Sequence, residues 1–225
     1  MMKRLFLIAF LALLPSCNGI FPGIYDSGES DLVTGYGFIG HNPSDNSGKV
    51  YIDATDYTKW VYLDFHGRTA VTAGMSEEEA PAEWDIAVHR YDVKTNGAAV
   101  LETGITGLEL FMSSGKMPEG GYVEDEWTTE QIIVDMSGMM DGNIIYTESY
   151  RNTVLSSWLD VNTATMPPVY TMSNQVFLIR LKDNTYAAIR FTNYMNARGI
   201  KGYIDFDFQY PLEFEDNNNE TNQQE

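Results

Sequence analysis

The amino-acid sequence predicts an all-β domain with minor helix. Three observations carry that prediction. Apolar residues recur every second position in the middle and C-terminal parts of the chain, turn-forming residues separate the apolar runs, and no apolar stripe of period 3.6 passes through them.

In chain order, Trp60-Val61-Tyr62-Leu63-Asp64-Phe65 is aromatic and β-branched and reads as a strand. Met75 to Glu83 carries Glu77-Glu78-Glu79 and Pro81 and reads as a loop or one helical turn. Trp84 to Val93 reads as a further strand, with His89 inside it as a hydrogen-bonded core histidine. Val176 to Leu181 and Tyr186 to Thr192 flank Lys182-Asp183-Asn184-Thr185, the pattern of a hairpin. Tyr203 to Tyr210 alternates cleanly: Ile204, Phe206, Phe208 and Tyr210 share one face, and Asp205, Asp207 and Gln209 the other.

The ends carry different information. Lys3 and Arg4 precede ten apolar residues, Leu5 to Leu14. As a helix these would span about 15 Å, half a hydrocarbon core, so the run is the apolar region of a signal peptide over residues 1–16. It ends in Leu14-Pro15-Ser16-Cys17, which is similar to the lipobox of bacterial lipoproteins, with Cys17 as the lipidated residue. Residues 17–48 are rich in Gly, Ser, Asn and Asp without periodicity and are expected to form a flexible spacer. Residues 213–225 are expected to be a disordered acidic tail, which leaves one domain over residues 49–212.

The chain has 14 basic and 32 acidic side chains, and cleavage before Cys17 removes two basic and no acidic ones, leaving a formal charge of −20. That surface repels nucleic acid and anionic membranes, so nucleic-acid partners are excluded and membrane contact is expected through the lipid alone. With Cys17, the only cysteine, acylated, neither a disulfide nor a thiolate metal site remains.

Enzyme signatures are missing, and no catalytic residue is expected. His41, His66 and His89 show no i, i+4 pair for a zinc helix. Ser114-Gly115-Lys116 lacks the first glycine and the closing hydroxyl of a phosphate loop, with Leu110 and Met117 in those places. Asp205 and Asp207 read as a solvated strand face rather than a glycosidase pair. Methionine is the unusual feature. Met136, Met139 and Met140 crowd a Gly-rich stretch, and Met166 occupies a second predicted loop, Asn162 to Pro168. A methionine is ordinarily a pliable core filler. Loops, however, lie at the surface, where a thioether is free to act as a soft ligand for Cu(I) or haem iron, so both readings stand on the residues alone.

Several separated segments resemble the HmuY haemophore lipoproteins in order and spacing. They are Tyr57-Thr58-Lys59-Trp60-Val61-Tyr62, Trp84-Asp85-Ile86-Ala87-Val88-His89-Arg90-Tyr91-Asp92, Tyr170-Thr171-Met172-Ser173-Asn174-Gln175-Val176-Phe177, Phe191-Thr192-Asn193-Tyr194 and Gly202-Tyr203-Ile204-Asp205-Phe206. The resemblance implies a single HmuY-like β-rich domain carrying haem as cargo between two protruding loops. It also implies exchange with host haem proteins and with a TonB-dependent receptor of the outer membrane, where the chain would be lipid-anchored.

The founding member of that family binds iron through two histidines. Here those positions align near Asn143 and Thr163, and no histidine lies in either loop. Related members use two methionines, which makes Met166 one axial candidate and Met139 or Met140 the other, with Met136 in the same cluster. Trp127, Trp158 and Tyr146 are the expected aromatic walls and Arg151 the expected partner of the haem propionates. The rival reading is a surface lipoprotein that binds a glycan or a protein partner on the same fold.

Overall fold

The computed structural model describes residues 35–214. The predicted signal peptide, the Cys17 anchor, the first part of the predicted spacer and residues 215–225 lie outside the described residues. In chain order the strands are β1 (Gly37–Asn42), β2 (Ser47–Asp53), β3 (Trp60–Asp64), β4 (Thr69–Ala73), β5 (Ile86–His89), β6 (Asp92–Thr95) and β7 (Ala99–Glu102). After a short helix, α1 (Leu108–Ser113), come β8 (Glu126–Gly138), β9 (Asn143–Arg151), β10 (Leu159–Asn162), β11 (Val169–Met172), β12 (Phe177–Arg180), β13 (Tyr186–Met195) and β14 (Lys201–Leu212). One six-residue helix among these strands makes the domain all-β.

A six-stranded sheet runs β1-β2-β14-β13-β12-β7, a four-stranded sheet runs β4-β3-β5-β6, and every pairing in both is antiparallel. The main core joins their facing sides. Val50, Ile52, Phe177, Ile179, Ile189, Phe191, Ile204, Phe206 and Phe208 of the larger sheet meet Val61, Leu63, Ile86, Val88 and Val93 of the smaller one. Side chains buried this fully stabilise by about 1.5–3 kcal/mol each, an upper figure before chain entropy is counted. The alternation of residues 203–210 is realised in β14, where every second residue from Gly202 to Leu212 is buried.

Each sheet also covers its outer face. Leu101, Phe111, Val176, Leu178, Ala188 and Leu212 form a second cluster beneath α1, joined by partly buried Phe214. Trp60, Tyr62, Ala87 and Ile132 form a third, in which one residue of β8 packs on the outside of the four-stranded sheet. Lys94, fully buried on that side, reaches Glu77 Oε1 at 2.7 Å and lies 4.7 Å from the Trp60 ring and 5.4 Å from the Tyr62 ring. Glu77 belongs to a 3-10 turn, Glu77–Glu79, closed by a capping box at Ser76, so the predicted loop or helical turn is one short turn.

Three expectations need correction. Residues 37–48, assigned to the spacer, are structured. β1 pairs with β2, β2 pairs with β14, and Phe38 packs edge-on against Phe65 and Phe208 at 5.9 and 5.2 Å. The glycines misled because glycine serves close approach as well as flexibility: a Cβ at Gly48 would strike the Gly40 carbonyl and the Phe208 ring. The predicted strand Trp84 to Val93 is instead a tight hairpin, β5 and β6, turning at Arg90 with φ of 52°. The Arg90 guanidinium holds that turn by lying over the Tyr57 ring at 4.4 Å and donating to the Thr55 and Lys201 carbonyls. Finally, the ordered domain runs past residue 212, since Phe214 packs edge-on against Phe111 and Tyr186.

Candidate functional site

Two hairpins belong to neither main sheet. The longer joins β8 and β9, with register shifts after Thr128, Ile133 and Asp135 that twist it along its length. Its root is fixed by polar contacts. Asp125, just before β8, accepts from the Thr95 amide at 2.6 Å, the Thr95 hydroxyl at 3.0 Å and Asn152 Nδ2 at 2.9 Å. Arg151 Nε, at the end of β9, donates to Asp92 Oδ1 at 2.6 Å. Burial pushes the carboxyls of Asp92 and Asp125 above their ordinary range, with these hydrogen bonds pulling the other way. Ile132, fully buried against Trp60, Tyr62 and Ala87, anchors the hairpin partway along.

Beyond Ile132 the strands run out to a tight end. Met139-Met140-Asp141 forms a 3-10 turn closed by the Gly142 amide bonding to the Met139 carbonyl at 3.1 Å. Gly142 holds φ of 77°, a backbone shape that suits glycine, and a Cβ on Gly138 would meet Asn143 at 2.6 Å. Met139 lies seven positions beyond Ile132, so at about 3.3 Å per residue the turn stands at most about 23 Å from its anchor. Met139 is 42% exposed and Met140 84% exposed.

The shorter hairpin joins β10 and β11, pairing Leu159 with Met172 and Asn162 with Val169. Its base is packed: Leu159 is buried, and Tyr170 stacks on Tyr194 at 5.3 Å and meets Tyr91 edge-on at 5.8 Å. Its connection, residues 163–168, is held by the Ala164 amide on Asn162 Oδ1 and the Thr165 hydroxyl on the Pro167 carbonyl. Met166 sits in this connection, 77% exposed. Ile145, Tyr146 and Val169 on the same two hairpins are also exposed, so exposed apolar surface gathers here, with Ile39 and Val71 of the edge strands β1 and β4 exposed elsewhere.

The predicted site residues separate under this geometry. Met139 and Met140 share one turn and Met166 occupies the other, whereas Met136 is half-buried along β8, short of the turn. Tyr146 lies on the outer part of the long hairpin, opposite Ile133, and is exposed. Trp127 lies at its root, edge-on to Tyr150 at 5.0 Å. Trp158 does not belong to a binding wall. It is buried, stacked on Phe191 at 4.2 Å with Nε1 donating to the Tyr91 carbonyl. Arg151 is likewise committed to Asp92 at the hairpin root. A cation that sequence reasoning missed is Lys201, whose ammonium lies 4.7 Å from the Tyr170 ring of β11.

No histidine lies in either hairpin. His41 is in β1, and His89 is fully buried with Nε2 at 2.9 Å from the Tyr57 carbonyl, the predicted core role. Burial outweighs that bond and holds the His89 pKa below the ordinary histidine value. His66 follows β3 and lies among Asp64, Asp85 and Asp183. Asp64 and His66 are two apart and so visible as a pair in the sequence, but Asp85 and Asp183 reach them only through strand pairing and turn placement.

Comparison with known proteins places this arrangement. The family model for HmuY protein matches residues 56–208, well over half of the chain. A crystal structure from Bacteroides vulgatus, of a protein assigned as HmuY-like and haem-binding, has a TM-score of 0.76 and 56% identity, covering 80% of this chain and 100% of that one. A Bacteroides fragilis protein assigned as a lipoprotein has a TM-score of 0.76 and 51% identity, covering 79% and 96%. An apo HmuY analogue of Tannerella forsythia, at 24% identity and a TM-score of 0.64 over 74% and 96%, bears on the fold alone. No curated protein matches the chain. The two-sheet core, its paired hairpins and the match over residues 56–208 together identify the chain as a member of the HmuY family.

Proposed function

We propose that this chain is a haem carrier that holds iron protoporphyrin between the ends of its two free hairpins. In this reading Met166 ligates one axial position and Met139 or Met140 the other. The observation that carries it is the exposure of these thioethers on two separate hairpins, in a family with a relative assigned as haem-binding at 56% identity. An exposed methionine gains little from burial, so its place in a tight turn is better accounted for by a ligand than by packing. Soft sulfur donors favour ferrous over ferric iron, so binding strengthens on reduction. The flanking Ile145, Tyr146 and Val169 would cover the apolar macrocycle. The role is that of a carrier in iron acquisition rather than of an enzyme, anchored to the outer membrane through Cys17. Host haem proteins would be the source of the cargo and a TonB-dependent receptor its recipient.

The test is a haem titration of residues 18–225, oxidised and dithionite-reduced, followed at the Soret band. Met166→Ala abolishes most tight ferrous binding. Of Met139→Ala and Met140→Ala, one behaves like Met166→Ala and the other is nearly silent, because adjacent residues do not both aim at one iron. Unchanged binding in Met166→Ala, or loss only in a histidine variant, refutes the methionine pair.

One observation favours a second reading. Tyr36, Tyr51 and Tyr203 have near-parallel rings with centroids 5.5–6.3 Å apart, a platform of the kind that stacks on a sugar face. Retention on a glycan array by protein that shows no Soret band would favour it.

A further inference from the structure

At the end of β3, three candidate ligand atoms converge away from both hairpins. His66 Nδ1 lies 3.6 Å from Asp85 Oδ2 and 3.8 Å from Asp64 Oδ1, and ligand atoms of all three residues fall within 4.8 Å of one another. Both Nδ1 separations are too long for a hydrogen bond. They suit atoms around one small cation: ligands about 2.1 Å from a tetrahedral ion stand about 3.4 Å apart.

The other ring nitrogen is already committed. His66 Nε2 is 3.0 Å from Asp183 Oδ2, in the turn between β12 and β13. With its proton on Nε2, the ring presents the Nδ1 lone pair to Asp64 and Asp85. A carboxylate on the far nitrogen is the usual way a metal-binding histidine is oriented.

The carboxylates are held in place as well. The His66 amide donates to Asp64 Oδ1 at 2.9 Å, and the Phe65 amide donates to Asp85 Oδ2 at 2.7 Å. A Cβ on Gly67 would crowd Asp64 Oδ2 at 2.5 Å, so the turn needs glycine there to leave the carboxylate room. Among the described residues no lysine or arginine forms an ion pair with Asp64, Asp85 or Asp183. The Asp64 and Asp85 side chains are mostly buried while His66 is half exposed, which leaves a solvent side for a water ligand. The Tyr210 ring closes the remaining side, 4.9 Å from the imidazole.

We propose that Asp64, His66 and Asp85 bind a divalent first-row transition ion, with Asp183 as the positioning residue for the imidazole. One nitrogen and two carboxylate oxygens neutralise the charge of such an ion and leave a position for water. Because Asp183 sits in the turn joining β12 and β13 of the six-stranded sheet, and the three ligands sit at the end of β3 and just before β5 in the four-stranded one, the ion also ties the two sheets together at this edge.

The experiment uses full-length mature protein, freed of metal with chelator and without haem. Zn²⁺ is followed by calorimetry and Co²⁺ by its visible absorption. One equivalent of Zn²⁺ is expected, with a Co²⁺ spectrum that requires a nitrogen ligand. His66→Ala should weaken binding by more than 100-fold, and Asp183→Asn, whose amide oxygen can still accept from Thr185 in the turn, by about 10–100-fold. His41→Ala should change nothing. The proposal is overturned if the parent takes up no stoichiometric ion, if folded His66→Ala keeps it, or if the Co²⁺ spectrum shows oxygen ligands alone.

Discussion

Ile132 is the side chain through which the long hairpin is seated on the body of the domain, and replacing it by alanine tests that directly. It is fully buried against Trp60, Tyr62 and Ala87. The substitution removes three buried carbons, worth about 2.4 kcal/mol at about 0.8 kcal/mol each. The flat indole and phenol rings beside it are held by their own sheet and collapse only partly into the gap, which adds about 1 kcal/mol. The expected cost is about 3–4 kcal/mol, or roughly 10 °C in melting temperature for a domain of this size. Ile132→Val, losing one carbon, should cost about 1 kcal/mol. Urea unfolding measures the total. Hydrogen exchange locates it, since amides of residues 133–145 should lose protection before those of β13 and β14. If the hairpin carries the ligands for haem, apparent haem affinity should fall with the fraction of protein whose hairpin has detached. A loss below about 1 kcal/mol in Ile132→Ala, with hairpin protection unchanged, would refute the idea that this contact seats the hairpin.

Two further outcomes are expected. In the presence of chelator the two histidines should bend the pH profile of stability in opposite senses. Partial burial disfavours the charged His66 ring, but Asp183 and Asp85 outweigh it and hold its pKa above the ordinary value. Its contribution is therefore complete below the unfolded value near 6.5 and lost as pH rises through the raised folded value. His89, held low by burial, contributes above about 6.5 and loses that contribution as pH falls toward its folded value. Melting curves should show His66→Ala losing more stability relative to parent at pH 5.5 than at pH 8, and His89→Gln the reverse; differences independent of pH would contradict both assignments. For the anchor, Cys17→Ala should release the protein to the soluble fraction or leave an uncleaved precursor, and a variant still processed and membrane-bound would exclude lipidation at Cys17.

What the sequence determined by itself is whatever depends on neighbours along the chain. Strand β14 was legible because period two is a local property, and a residue's face follows from its parity. The β12–β13 hairpin was legible because Lys182-Asp183-Asn184-Thr185 carries its own turn chemistry. Met139, Met140 and Met166 were legible as turn residues because glycine and proline mark where strands stop, whereas Met136, read into the same loop, belongs to β8. Tertiary structure decided what depends on residues far apart. Residues 37–48 looked like spacer because glycine looks the same in sequence whether it frees a chain or lets a phenylalanine ring lie against it, and only Phe208 tells which. Trp158 and Arg151 looked available to a ligand until Phe191 and Asp92 were brought against them. The Asp64, His66 and Asp85 cluster needs β3 beside β5, and Asp183 needs the two sheets packed face to face. Contacts of that kind are set by how apolar faces bury against each other across the core, and no local pattern encodes which distant partner arrives.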